Sequence, residues 1–169
     1  MKDISRFGRT SDYLPLLNGA IIADLVVSSF VILVLKGRPL QKWYAQYGLS
    51  AGLADVLAIL LALIIARAIY PFISKQFVLW KFLLVVLLVQ MTHDLLFYAF
   101  FKAVPKGFNG MLDFFKGYAA DFGARALAGD ACLVVLAGLL AAALAGCSLN
   151  INIVIFVAAV YVALYFMHA

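Results

Sequence analysis

The chain has 169 residues, of which 67% are hydrophobic and 12% charged, and its mean hydropathy is +1.09. These values exclude a soluble domain, because a fold of this length has too much surface for its volume to hide so much apolar area. The net charge of +5 comes from basic residues scattered in short loops, which argues against a nucleic-acid partner. The composition therefore predicts one polytopic domain over residues 1–169, an all-α integral membrane helical bundle in a lipid bilayer whose identity it does not indicate.

Five apolar runs are long enough to cross a bilayer, since about 20 helical residues span its hydrocarbon core. The runs do not alternate between polar and apolar residues, which excludes a transmembrane barrel, and the first is too long for a signal-peptide core. We expect Pro71 to end the second run and Ser148 to cap the fifth. The predicted spans are about 13–35, 48–70, 77–101, 119–146 and 149–167, with interfacial segments at about 39–47 and 108–118.

Four residues near the ends of these runs are predicted to anchor the protein at the headgroups. Trp43, Tyr44 and Tyr47 follow Lys42 closely in the first interfacial segment, and aromatic rings beside a cation are typical of the membrane–water interface. Arg67 lies about three residues from the far end of the second span, where a long side chain can reach the headgroups while its stem stays in the apolar region. We therefore interpret all four as membrane anchors.

Each of the first four predicted spans carries an interior aspartate. Because neighbouring spans are antiparallel, three of these lie roughly 10–17 Å from one face of the bilayer, and the first lies about twelve residues from that face. A charge at mid-bilayer costs about 2.5–3.5 kcal/mol even on a lenient scale, so the group must pair, become protonated, bind a cation or line water. Gln90 lies on the same helix face as His93 and Asp94. The aspartates are Asp24, Asp55, Asp94 and Asp130.

This polar layer is predicted to support proton or cation movement, because Asp and His side chains inside membrane helices are typical relay groups. In this hypothesis Asp94 and His93 carry the proton or cation, and the remaining aspartates complete the path. Arg125 is the expected charge partner, with Asp121 able to pair with it locally four residues earlier. The alternative is a structural or assembly subunit, present as a homo-oligomer or in a larger membrane complex, whose polar groups fix helix register.

No cofactor is predicted, although a metal ion remains an alternative for the layer. His93 with Asp55, Asp94 and Asp130 would offer one nitrogen and three oxygen ligands, a poor set for structural zinc but suitable for a harder metal. An enzyme acting on lipids is disfavoured, because the sequence has no credible Ser–His–Asp order and no phosphate-binding glycine-rich loop. Whether the chain is an enzyme therefore stays open, with the balance against it.

Three stretches carry a resemblance to a known group of proteins: ADVLAILLALIIARAIYPF, QMTHDLLFYAFF and MLDFFKGYAADFGARALAGD. In this pattern, over roughly residues 20–165, the chain resembles uncharacterised polytopic membrane proteins encoded by large DNA viruses of algae and protists. No activity is assigned to that group, so the resemblance implies no catalytic or binding residue. It implies a viral or protist setting, in a virion or host membrane.

Overall fold

The structure is a computed structural model that describes residues 1–167, apart from the side chain of Ala124. It confirms the prediction of an all-α bundle, and among the described residues five helices are long and apolar enough to cross a membrane. A 3₁₀ turn at Thr10–Asp12 precedes the first helix, and a π-helical turn at Phe30–Val34 extends it. The helices are α1 (Tyr13–Ser29), α2 (Arg38–Tyr47), α3 (Leu49–Ile73), α4 (Leu79–Ala103), α5 (Gly110–Phe122), α6 (Ala124–Leu144) and α7 (Leu149–Phe166).

The largest differences from the predicted boundaries are at the end of α3 and at the junction of α5 with α6. Helix α3 runs through Pro71 and ends at Ile73, because a proline in the last turn removes one intrahelical hydrogen bond without stopping the chain. Helix α5 continues past residue 118, and the bend into α6 is made by Gly123 at φ +47°. A residue with a side chain rarely adopts that conformation, whereas Gly does so readily. At the start of α7 the expected cap is present, since Ser148 Oγ accepts the N–H of Ile151 at 3.3 Å.

The core of the bundle lies around α1, which packs against α3, α6 and α7. Gly19 lets α1 approach α6 closely, because a Cβ atom there would lie 2.6 Å from the carbonyl oxygen of Ala137 and 2.9 Å from the nitrogen of Ala141. Both alanines are fully buried. Lipid provides no hydrophobic force between helices, so small residues at crossings are a common way to gain close packing in a membrane.

The two short helices, α2 and α5, lie at the same end of the bundle, which we call the aromatic end. The ring of Trp43 on α2 lies 5.0 Å from that of Phe114 and 4.9 Å from that of Phe115, both on α5. Phe115 in turn lies 5.3 Å from Phe97 of α4. The short helices are therefore held to each other and to the spanning helices by ring contacts.

Residues 1–12 lie at the opposite end of the bundle, which we call the N-terminal end. Ile4 is fully buried in the main core, and the N–H of Lys2 donates to the carbonyl oxygen of Ala142 on α6 at 2.9 Å. Asp12 is also buried, with 1% of its surface exposed. This N-terminal segment is therefore part of the packed structure, although its composition is polar.

Candidate functional site

One tyrosine hydroxyl connects the aspartates of α1 and α3. The Tyr44 oxygen lies 3.3 Å from each carboxylate oxygen of Asp24 and 3.2 Å from Oδ2 of Asp55. Ser28 lies one turn after Asp24, with its hydroxyl 3.1 Å from that of Tyr44 and 3.3 Å from Asp24 Oδ1. A continuous hydrogen-bonded chain thus runs from Asp24 through Tyr44 to Asp55.

The donors to these two aspartates are neutral throughout the described part of the chain. Trp43 donates its indole N–H to Oδ2 of Asp55 at 2.9 Å, and the remaining donors are the two hydroxyls. Burial, followed by the negative charges of Asp24 and Asp55, raises the pKa of Tyr44 above its ordinary range. The Tyr44 hydroxyl therefore keeps its proton and remains a donor. Two ionised carboxylates in this arrangement would repel each other across a single hydroxyl group.

A second polar group lies on α4, as the spacing of its residues predicts. The Gln90 amide donates to Asp94 Oδ1 at 2.6 Å, and His93 Nδ1 lies 3.2 Å from the same oxygen. The other carboxylate oxygen of Asp94 and the amide oxygen of Gln90 are buried without a hydrogen-bond partner among the described residues. Buried polar atoms are nearly always satisfied in folded proteins, so these two atoms are where this group can accept a further hydrogen bond.

Asp130 on α6 completes the set of four aspartates. Its carboxyl group is half-buried and hydrogen-bonds to no described residue, but it lies within electrostatic range of Asp94 and Asp55. Tyr118 on α5 lies within electrostatic range of Asp130. Burial, and then the charges of Asp130 and Asp55, raise the pKa of Tyr118 above its ordinary value, so this hydroxyl also stays protonated. The layer therefore includes a second tyrosine that the sequence did not single out.

The expected charge partner does not join the layer. Arg125 and Asp121 are both exposed, and within the described residues neither forms an ion pair. They lie on either side of Gly123, whose positive φ interrupts the helix that would have placed them one turn apart. The local pairing predicted from their four-residue spacing requires a continuous helix there, and the structure has two.

Arg67, which the sequence predicts to be a membrane anchor, has a fully buried side chain. Its guanidinium group donates to the carbonyl oxygens of Arg6 and of Arg9, the latter at 3.0 Å, and lies 3.5 Å from Oδ2 of Asp12. The guanidinium carbon also lies 4.7 Å from the ring centre of Tyr13. Arg67 thus holds the N-terminal segment against the bundle.

Two of the three aromatic residues expected at the headgroups are also buried. Trp43 is 3% and Tyr44 4% exposed, and both face the aspartates, while Tyr47 is half-buried against Phe114. A sequence signal for this placement exists: Leu40 lies three and four residues before Trp43 and Tyr44, and Tyr47 follows at the seventh position. That spacing makes one apolar helix face, which is typical of a helix packed on a bundle.

No group of three His, Cys, Asp or Glu side chains suited to a metal ion is found in residues 1–167. His93 and Asp94 are in contact, but the proposed set of His93 with three aspartates is not gathered around one point.

Comparisons with known proteins return no match, since no family model, no curated protein and no solved structure matches the chain.

Proposed function

We propose that the protein moves protons across or into the membrane through the aspartate layer at its aromatic end. The observation that carries this proposal is the hydrogen-bonded chain Asp24–Tyr44–Asp55, in which two carboxyl groups contact one protonated hydroxyl and receive only neutral donors from the described residues. Ionisable residues inside membrane helices are most often part of ion or proton pathways.

The hydrogen-bonded chain Asp24–Tyr44–Asp55 can transfer a proton with no change in the number of O–H bonds. A proton on Asp24 passes to the Tyr44 oxygen while Tyr44 gives its own proton to Asp55, so one O–H bond breaks and one forms at the tyrosine. The net charge of the three groups does not change. The high pKa of Tyr44 supports this role, because the hydroxyl relays a proton without remaining ionised between transfers.

Protons fit this group better than metal cations do. The Trp43 N–H points at Asp55 Oδ2 at 2.9 Å, so a donor occupies a direction from which a cation would need to approach that oxygen. A cation site needs several oxygen atoms free to accept it. Around Tyr44, by contrast, the oxygens of Asp24, Asp55 and Ser28 are connected through hydroxyl protons.

Proton flux into proteoliposomes tests the proposal directly, with a pH-sensitive dye inside the vesicles and an imposed membrane potential. We expect Asp55→Asn to lower the proton flux by about tenfold or more, since an amide side chain neither accepts nor releases a proton near neutral pH. Asp113→Asn is the matched control, because Asp113 lies on the interfacial α5, where it accepts the N–H of Gly107 at 2.7 Å. Equal flux from the wild-type protein, Asp55→Asn and empty vesicles would reject the proposal.

A second candidate function is that of a structural or assembly subunit of a membrane complex or virion membrane. The observation that favours it is Arg125, a charge exposed on the outer surface at the start of a spanning helix. A partner carboxylate in a neighbouring subunit would satisfy it. Native mass spectrometry of gently extracted protein separates the two functions: fixed-ratio co-purification that Arg125→Gln abolishes, without proton flux, supports assembly.

A further inference from the structure

The sequence around the two glycine bends, at Gly48 and Gly123, is an internal repeat. Residues 42–48 read KWYAQYG and residues 116–123 read KGYAADFG, so each has Lys-x-Tyr-Ala followed by an aromatic residue and Gly. In both cases an aspartate follows seven residues after the Gly, and alanines follow at fourteen and eighteen. The aspartates are Asp55 and Asp130, and the alanines are Ala62 and Ala66 in the first copy and Ala137 and Ala141 in the second.

The backbone repeats in the same way. Gly48 has φ 48° and ψ −123°, and Gly123 has φ 47° and ψ −122°. Each Gly joins a short amphipathic helix to a spanning helix, so that α1–α2–α3 and α4–α5–α6 are two units with the same order of elements. The units also pack reciprocally, since α1 contacts α6 as α4 contacts α3. All four repeated alanines are buried.

The first spanning helix of each unit also carries an aspartate, Asp24 in α1 and Asp94 in α4, each followed by Leu. The four aspartates of the layer are therefore two pairs. In the first unit the pair is joined by Tyr44, which is the tyrosine of the Lys-x-Tyr-Ala sequence. The corresponding tyrosine of the second unit is Tyr118.

The two units differ in whether the tyrosine reaches its aspartates. Tyr118 is half-buried and donates to no described residue, while Asp94 Oδ2 is buried without a partner among residues 1–167. Gln90, which is 5% exposed, has a buried and unpartnered oxygen next to Asp94. The sequence gives a reason for the difference, because Tyr118 lies five positions before its Gly, whereas Tyr44 lies four positions before Gly48. The extra residue rotates Tyr118 by about 100° around its helix relative to Tyr44.

We infer that Asp94, Tyr118 and Asp130 form a second proton site equivalent to Asp24, Tyr44 and Asp55. A shift of α5 brings the Tyr118 hydroxyl within hydrogen-bond distance of Asp94 and Asp130. The role as a proton site rests on the function proposed above, whereas the pairing of Tyr118 with these aspartates does not. The free oxygen of Asp94 is the acceptor that the closed form would fill. The layer then contains two sites related by the repeat. In the described part of the structure Tyr44 is hydrogen-bonded to its two aspartates, and Tyr118 is not.

Infrared spectroscopy of the purified protein tests the pairing independently of transport. Carboxyl and carboxylate bands shift when a hydrogen bond to them is lost, so we expect Tyr118→Phe to shift a band that Asp94→Asn or Asp130→Asn removes. Tyr44→Phe should instead shift a band removed by Asp24→Asn or Asp55→Asn. Tyr98→Phe is the matched control, because Tyr98 is 45% exposed on α4. The Tyr98→Phe spectrum should equal the wild-type spectrum in the carboxyl region. If the Tyr118→Phe spectrum also equals it, the inference is overturned.

A second measurement covers the case in which Tyr118→Phe does not fold. Ring-labelled tyrosine in the Asp130→Asn variant should show a change in one tyrosine C–O band, and its absence would also overturn the pairing. Transport separates the two proposals. If Tyr118→Phe shifts the carboxyl band while wild-type vesicles show no proton flux, the proposed function fails and the pairing stands. If flux is present and both spectra are unchanged, the pairing fails. With both correct, Tyr118→Phe and Tyr44→Phe each lower the flux by about tenfold.

Discussion

The two ends of the bundle differ in how their buried ionisable side chains are paired. At the N-terminal end one cation, Arg67, is enclosed by backbone carbonyl groups and the carboxylate of Asp12. At the aromatic end, Asp24 and Asp55 share neutral donors, and no ion pair joins either to a cation in the described residues. A compensated charge holds a structure in place, whereas carboxyl groups without a countercharge can exchange protons. The N-terminal end is therefore held by a compensated charge, and the proton transfer proposed above belongs to the aromatic end.

Removing the cation at the N-terminal end should have the largest effect on stability. Arg67→Gln removes the buried cation beside Asp12 and leaves it only the partly exposed Arg9 at 3.7 Å, and breaking a buried pair costs about 3–5 kcal/mol. We expect the free energy of unfolding, measured by denaturation in mixed micelles, to fall by that amount. Arg125→Gln is the control, because Arg125 is exposed. An equal, small effect of both variants would mean that the two ends do not differ in charge compensation.

The glycine bends at the aromatic end should come next. Gly123→Ala forces a side-chain-bearing residue to φ +47°, at a cost of about 1–3 kcal/mol in the free energy of unfolding. A Cβ atom there would meet nothing closer than the carbonyl oxygen of Ala119 at 4.0 Å, so the cost is in the backbone. Gly129→Ala should instead stabilise α6 by up to about 1 kcal/mol, since Gly129 lies within a helix with open space around it.

Loss of the shared hydroxyl should have a smaller effect on stability. Tyr44→Phe removes a donor from both Asp24 and Asp55, and we expect a decrease of about 1–2 kcal/mol in the free energy of unfolding. Tyr47→Phe on the same helix is the control, because its hydroxyl contacts the exposed Gln46 amide at 3.0 Å. If both variants lose the same stability, the contacts of Tyr44 with the aspartates contribute nothing beyond a surface hydrogen bond.

The smallest predicted effect is a pH dependence at the N-terminal end. Burial alone would raise the pKa of Asp3, but hydrogen bonds from Ser5 and the charges of Arg6 and Arg9 outweigh it and hold this pKa below its ordinary value. The unfolded chain therefore binds more protons at Asp3 in acid. The stability from Asp3 is complete above its ordinary pKa and is lost as pH falls through the lower folded value. Asp3→Asn should flatten that part of the stability–pH curve, and an unchanged slope would exclude the effect.

The helices could be predicted from the sequence because their signal is local. Runs of about 20 apolar residues predict spanning helices wherever they occur, and antiparallel order predicts that the four aspartates lie at similar depths. The grouping of those aspartates could not be predicted, because it depends on where α2 and α5 fold back. By residue type and neighbours, Trp43 and Tyr44 are typical of headgroup anchors. Only the tertiary structure shows that both donate hydrogen bonds to Asp55.

Arg67 illustrates the same limit from the other end of the molecule. By residue type and depth it resembles a side chain that extends to the headgroups. Its partners are instead carbonyl groups at Arg6 and Arg9, about sixty positions earlier in the chain, and a segment with a polar composition gives no local sign of docking. Pairing across such separations is a property of the tertiary structure, which hydropathy does not encode.

The N-terminal segment also constrains the order in which the protein can be completed. Its partners are Arg67 on α3 and Ala142 on α6, which are synthesised long after it. Residues 1–12 therefore cannot make these contacts until α6 has been synthesised and inserted. This segment reaches its final position after helices that follow it in the chain, because its partners belong to them.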